Sequence, residues 1–125
     1  PFFSLTKRIA QCNKITKSTK KIKVISIDDK IKSSRTIDVI KYLSRRNIGK
    51  KLYLVLGSDN LVHFNKWKSW KKISKMCQLV IFSRKGYDQK AKKSDILILL
   101  KKNNIIFVKN KKINISSTMI RKKLK

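Results

Sequence analysis

The sequence has little of the residue types that build most hydrolytic, redox and metal sites. Its 125 residues include one histidine, two cysteines and six acidic residues, all of them aspartate. His63 has no partners in an order that suggests a Ser-His-Asp triad, and the aspartates show no paired-carboxylate pattern. Cys12 and Cys77 lie far apart and match no metal or redox spacing, which is typical of a reduced cytoplasmic protein. These residues contain no complete hydrolytic or redox site.

Long apolar runs are also missing. The block from Ile96 to Leu100 falls well short of the ~20 residues that span a bilayer. No apolar stretch follows the basic residues of segment 1–8, so this segment does not predict a signal peptide. We therefore expect no membrane segment and a cytoplasmic location. The length suits one compact domain and is too short for two, so a single domain is predicted over residues 1–125.

Acidic residues are few while basic residues are many, and the formal net charge is +28. Such a charge can attract nucleic acid, because lysine-rich surfaces release counterions from phosphate backbones. Only six of the 34 basic residues are arginine, however, and base reading favours arginine. Lysine, isoleucine and asparagine are abundant together, as adenine- and thymine-rich codons would produce. We therefore expect no nucleic-acid partner, and a basic nucleic-acid-binding surface on a non-catalytic remnant is the alternative hypothesis.

The apolar pattern alternates between helical and strand periods. Helices are predicted over 5–15 after a Ser4 cap, from 34 to a stop at 47–49, over 57–73, from 94 or 95 to 100, and after a Ser116 cap. Strands are predicted at 21–27, 52–56, 79–82 and 105–108, with a short strand or turn at 113–115. Strands separated by helices indicate an α/β fold with a parallel sheet. The strands at 52–56 and 79–82 are expected at its centre, because they are apolar on both faces.

Two candidate site segments follow the central strands. Ligands of parallel α/β sheets bind beyond the carboxyl ends of the strands, where Gly57, Asp59 and Arg84 are placed. A glycine lets the backbone approach a ligand, and an aspartate accepts hydrogen bonds from ribose hydroxyls. On residue types alone, a helix N-cap is the commoner role for Ser58 or Asp59.

Two further segments have a structural and a functional interpretation. Trp67 and Trp70 are three residues apart and are predicted to share one helix face, where core packing is more common than stacking on a ligand ring. A helix start with three hydroxyls and an arginine is either a phosphate cradle or an N-cap with surplus hydroxyls. Ser116, Ser117, Thr118 and Arg121 form this segment.

In order and spacing, these segments resemble bacterial nicotinate-nucleotide adenylyltransferases, most closely the alphaproteobacterial type. Residues 57–70 are similar to that family's G-A-D-N-L…F…W…W block, and 80–86 (VIFSRKG) to its strand and R-P-G loop. Residues 115–121 (ISSTMIR) match its I-S-S-T-x-I-R signature. Residues 35–39 (RTIDV) resemble its Y-T-x-D-T-L motif, with arginine and valine where tyrosine and threonine are usual. The double-tryptophan block argues against a sibling transferase that acts on phosphopantetheine.

The resemblance implies a Rossmann-like nucleotidyl-transferase fold that transfers the adenylyl group of ATP to nicotinate mononucleotide. Deamido-NAD and pyrophosphate are the implied products, Mg²⁺ accompanies ATP, and a homo-oligomer is compatible with the sequence. Trp67 is implied to stack on the nicotinate ring, and Thr36 to help hold its carboxylate. The implied ATP-binding residues are Gly57, Asp59, Arg84, Ser116, Ser117, Thr118 and Arg121.

One family element has no counterpart in this sequence. The loop G-x-F-[DN]-P-x-H-x-G-H supplies the family's triphosphate-binding histidines, whereas His63 is the single histidine here. By resemblance the sequence corresponds to a domain that is incomplete at both ends, so we expect no catalytic residue within it. We predict that these 125 residues alone do not convert ATP and nicotinate mononucleotide to deamido-NAD. Sustained product formation by the isolated chain, followed by chromatography, would contradict this prediction.

Overall fold

The chain forms two compact units, of which one comprises Pro1–Ser33 with Ser116–Lys125 and the other Ser34–Ile115. The structure is a computed structural model that describes residues 2–100, 104–111, 113 and 115–124. A single domain over residues 1–125 stays a prediction. The helices and strands are α1 (Leu5–Thr16), α2 (Asp28–Ile31), α3 (Thr36–Arg46), β1 (Leu52–Gly57), α4 (Ser58–Val62), a 3-10 helix (Phe64–Lys66), α5 (Trp70–Met76), β2 (Cys77–Phe82), α6 (Asp88–Lys92), α7 (Asp95–Leu99), β3 (Ile105–Val108) and α8 (Ser117–Lys123).

The sheet of the larger unit is parallel, which confirms the predicted α/β class. Its order is β1-β2-β3, with Leu52 opposite Cys77 and Leu79 opposite Ile105. The central place predicted for strand 79–82 is confirmed, but that for 52–56 is wrong among the described strands, where β1 has β2 as its one neighbour. Separately, one face of β1 is open, since Tyr53 and Val55 on that face are 56% and 60% exposed.

The other face of the sheet carries the core of this unit. Alternate residues of β2 are buried on that face, as the two-residue period of a strand requires. Helix α3 contributes Ile37 and Ile40 to the same cluster, and the side chain of Asn47 caps the end of α3 by donating to the Leu43 carbonyl at 2.8 Å. The buried cluster is Ile37, Ile40, Leu56, Leu61, Phe64, Ile73, Cys77, Leu79, Ile81, Ala91, Ile96 and Leu100.

The predicted helix over 57–73 is divided into three pieces. Trp67 is extended at the end of the 3-10 helix, and Ser69 is left-handed with a φ of 57° before α5 begins. The two tryptophans therefore do not share one helix face. Both instead pack against the buried ring of Phe64, with ring centroids 5.4 Å away for Trp67 and 6.2 Å for Trp70. Packing around this one ring overrides the helical period.

In the smaller unit α1 is confirmed, and the Ser4 hydroxyl accepts a hydrogen bond from the Lys7 amide at 3.3 Å. The strand predicted at 21–27 is wrong: the segment pairs with no strand among the described residues, and Ile27 at its end has helical backbone angles. An alternating pattern fits an extended chain, whereas a strand also needs a hydrogen-bonding neighbour. Ile27 is buried there, but Ile22 is 54% exposed. The strand or turn predicted at 113–115 includes Asn114, which lies outside the described residues.

Cys77 and Cys12 are both free, in line with their spacing. Burial raises the pKa of the Cys77 thiol, which makes it a poor nucleophile and marks it as a core residue. Within the described part of the chain, no helix is long and apolar enough to cross a membrane.

Candidate functional site

The carboxyl ends of β1 and β2 lie side by side, because Gly57 is the register partner of Phe82. The backbone of Gly57 is extended, with φ −81° and ψ 157°, and α4 starts at the next residue. The loop after β2 starts with Ser83. The sequence-predicted segments at 57–59 and 83–84 therefore leave the sheet as neighbours, one strand apart.

An ion pair joins these two segments. The Nη1 atom of Arg84 lies 2.6 Å from Oδ2 of Asp59, and the two side chains are 40% and 21% exposed. Asp59 follows β1 and Arg84 follows β2, so the pair spans the carboxyl ends of two strands, where ligands of such sheets bind. Its partial exposure limits its contribution to stability, since screened surface pairs are worth about 0–1 kcal/mol.

The second carboxylate oxygen of Asp59 is buried. Oδ1 accepts no hydrogen bond from any residue that the structure describes. A Cβ atom built on Gly57 would collide with this oxygen, so the glycine is needed here for space and not for an unusual φ. A buried acceptor without a donor is unfavourable unless a ligand supplies one, and a hydroxyl group is a chemically suitable donor.

Sequence reasoning missed the buried polar contacts beneath this ion pair. Ser58 is 1% exposed, and its hydroxyl donates to Oδ1 of Asp88 at 2.8 Å. The backbone N–H of Arg84 donates to both of these oxygens at 3.0 Å. From the loop after β3, Asn110 accepts from the Ser83 amide at 2.7 Å and donates to its carbonyl at 3.2 Å. The one sequence feature that could have indicated these contacts is Ser58, which stands where the family's G-A-D-N-L block has alanine.

A cavity of about 110 Å³ lies beyond the ends of β2 and β3. It is smaller than the ~300 Å³ typical of small-molecule pockets, so by itself it does not enclose a nucleotide. Its lining residues are Ser58, Ile81, Ser83, Asp88, Lys92, Phe107, Val108 and Lys109.

Thr36 and Trp67, the two residues implied for nicotinate mononucleotide, are not bonded to the Asp59–Arg84 ion pair in the described contacts. Thr36 is the half-buried first residue of α3, and half-buried Trp67 packs against the core. Among the described contacts, no hydrogen bond or ion pair connects either residue with Asp59 or Arg84.

The start of α8 belongs to the smaller unit. The Ser116 hydroxyl accepts from the Met119 amide at 3.2 Å, so Ser116 acts as an N-cap. The guanidinium of Arg121 donates to the Thr118 hydroxyl at 3.3 Å. A cavity of about 310 Å³ is lined by Phe2, Phe3, Arg8, Ser117, Ile120 and Arg121. Two arginines thus border one cavity beside the predicted phosphate-binding segment, and no sequence motif indicated Arg8.

No group of three or more His, Cys, Asp and Glu side chains among the described residues could hold a metal ion. The single histidine, His63, is exposed at the end of α4, which confirms the interpretation of it as a surface residue.

The chain matches the cytidylyltransferase-like family over residues 1–123. It is similar to a probable nicotinate-nucleotide adenylyltransferase from Pelagibacter ubique (strain HTCC1062), at 42% identity over 94% of this chain and 65% of the relative. Proteins of the same name from Fusobacterium nucleatum subsp. nucleatum and Aquifex aeolicus (strain VF5) are 33% and 39% identical, over 94% and 68% of this chain and 61% and 52% of the relatives. The chain thus spans between half and two thirds of these relatives. The resemblance noted from the motifs is confirmed.

Proposed function

Since the chain belongs to the cytidylyltransferase-like family, we propose that it carries much of the nucleotide-binding machinery of a cytoplasmic nicotinate-nucleotide adenylyltransferase. The reaction would join the AMP part of ATP to nicotinate mononucleotide and release pyrophosphate. The curated relatives with this name motivate the choice of substrates. The observation that carries the proposal is the site made by Gly57, Asp59 and Arg84 at two neighbouring strand ends.

In this proposal Asp59 faces the nucleoside of ATP. Its buried Oδ1 accepts no hydrogen bond within the described residues, so a ribose hydroxyl would satisfy it once the carboxylate turns toward the cleft. Arg84 neutralises the other oxygen and leaves a guanidinium edge at the same cleft, since 40% of its side chain is exposed. Gly57 provides the space in which the carboxylate lies.

The family resemblance implies a phosphate-binding segment at the start of α8, within the smaller unit. Arg121 and Ser117 line one cavity there together with Arg8, and guanidinium groups pair well with phosphate oxygens. Thr118 would contribute its hydroxyl, and Ser116 would fix the helix start as its cap. Mg²⁺ would accompany ATP and be held through the ATP phosphates.

These residues would assist the reaction by placement and charge. The phosphate of nicotinate mononucleotide attacks the α-phosphorus of ATP, and the bond to pyrophosphate breaks. Alignment of the two phosphates lowers the entropic part of the barrier. The arginines would stabilise the negative charge that develops on the leaving pyrophosphate.

Trp67 provides the test of the substrate. One side of its half-buried ring packs against Phe64, which leaves the remaining surface for a nicotinate ring. We expect Trp67→Ala to weaken the binding of nicotinate mononucleotide by ~1–3 kcal/mol, the magnitude of stacking on an aromatic side chain. Isothermal titration calorimetry with the unchanged chain and the variant measures the difference.

Trp70→Ala is the matched control, because Trp70 packs against the same Phe64 ring from α5. It should lower stability in a similar way but leave the affinity for nicotinate mononucleotide nearly unchanged. Equal affinities of the Trp67→Ala variant and the unchanged chain would assign Trp67 to the core alone. No binding by the unchanged chain would contradict the proposed function for this chain.

A further inference from the structure

We propose that Ser58 and Asp88 are positioning residues that hold the backbone of Arg84, so that its guanidinium is presented to Asp59 and to a bound nucleotide. Neither residue belongs to the set implied by the family resemblance. The geometry stands by itself, whereas the consequence for ATP binding rests on the proposed function.

Three polar groups meet beneath the ion pair. The Ser58 hydroxyl donates to Oδ1 of Asp88 at 2.8 Å, and the N–H of Arg84 is shared between these two oxygens at 3.0 Å from each. Ser58 is 1% exposed, so water does not compete for its hydroxyl. Deletion of either side chain would leave buried polar groups without a full set of partners.

The first two residues of α4 hold Arg84 at both of its ends. Ser58 binds the backbone of Arg84, while Asp59, next in sequence, binds its guanidinium. A side chain as long as arginine loses considerable rotamer entropy when it is fixed at one point. A fixed Arg84 backbone reduces the number of conformations open to the side chain, and so lowers the entropic cost of pairing the guanidinium with Asp59. The ion pair is partly exposed and weak by itself, so its geometry depends on this second attachment.

Polar contacts connect the segments that follow all three strands. Asp88 begins α6 and reaches back to the start of its own loop, while Asn110 holds the Ser83 amide and carbonyl from the loop after β3. Residues 83 and 84 are therefore bound from α4, from α6 and from the third loop. Such fixation from several elements is what a precise binding site requires of its supporting residues.

The test compares Asp88→Ala, Asp88→Asn and Ser58→Ala with the unchanged chain. We expect Asp88→Ala to raise the hydrogen-exchange rate of the Arg84 amide about tenfold, the factor that corresponds to loss of one hydrogen bond. We expect the affinity for ATP to fall by about the same factor, since the guanidinium is less well placed. Asp88→Asn retains the accepting oxygen and should keep most of the protection. Ser58→Ala should raise the exchange rate by a similar factor, because each alanine variant removes one of the two acceptors that lie 3.0 Å from the Arg84 amide.

Exchange is followed by NMR, and the Nη resonances of Arg84 report whether its guanidinium is held. Asp95→Ala is the control: it removes an exposed aspartate from the first turn of α7 and should change neither quantity. If Asp88→Ala does not fold, Ser58→Ala decides the same point.

An Arg84 amide that is equally protected in the folded variants and in the unchanged chain would overturn the inference. Raised exchange with unchanged ATP affinity would also overturn the positioning role. If the unchanged chain binds no ATP, the proposed function fails, whereas the comparison of exchange rates and Arg84 resonances still decides whether Ser58 and Asp88 hold the loop.

Discussion

Replacement of Phe64 by alanine is expected to lower the free energy of unfolding by about 3–5 kcal/mol, the range for deletion of a buried phenylalanine ring. The Phe64 side chain has no exposed surface and belongs to the core of the larger unit. The rings of Trp67 and Trp70 both contact it, so the cavity left behind would border two large side chains. These two tryptophans lie on different elements, which limits how well the cavity can close.

Urea unfolding followed by far-ultraviolet circular dichroism measures this loss. Tryptophan fluorescence is unsuitable as the single probe, because the substitution changes the surroundings of both indole rings. His63→Ala is the control, since His63 is exposed and directly precedes Phe64. A loss below ~1 kcal/mol for Phe64→Ala, the level of many surface substitutions, would show that this ring is not central to the core.

The same substitution links the core to the proposed substrate site. The Trp67 ring has the Phe64 ring as its support, and its backbone is extended where the helical period predicted a continuous helix. Without that support the indole would sample more orientations. We therefore attribute the placement of Trp67, a predicted substrate-binding residue, to its packing against the core residue Phe64.

The arrangement of the strand ends could be predicted from the sequence. The short apolar runs at 52–56 and 79–82 have helices between them, and parallel pairing follows from such alternation. Once the strands are parallel, the residues just after them must lie at one edge. The proximity of Asp59 and Arg84 follows from these steps, although their ion pair does not.

The polar contacts beneath the ion pair could not be predicted. Ser58 and Asp88 are 30 residues apart, and Asn110 contacts Ser83 across 27 residues. Hydrogen bonds over such separations leave no period in the sequence. The predicted strand at 21–27 failed for a related reason, because the pattern of a segment does not specify whether a pairing neighbour is present.

Gly57→Ala is expected to cost stability and ATP affinity together. A Cβ at this position would overlap Oδ1 of Asp59, and the carboxylate is already fixed through Oδ2 by Arg84. The colliding atom is the end of a side chain that can turn away at the cost of its partly exposed ion pair, so we expect a loss of stability of about 0–1 kcal/mol. A displaced Asp59 would also lose its proposed ribose contact, so we expect ATP affinity to fall at least ~10-fold.

The double variant Gly57→Ala with Asp59→Ala isolates the cause. Asp59→Ala alone should cost little stability, about 0–1 kcal/mol, because the ion pair that it removes is partly exposed. Without the carboxylate, the new Cβ meets no close atom except the aliphatic part of Arg84, at 4.0 Å. The double variant should therefore be nearly as stable in urea as Asp59→Ala alone, with a coupling energy close to the full cost of Gly57→Ala. If the stability losses of the two single variants simply add in the double variant, the alanine at position 57 disturbs the end of β1 itself. Removal of the Asp59 carboxylate would then not relieve the cost of Gly57→Ala.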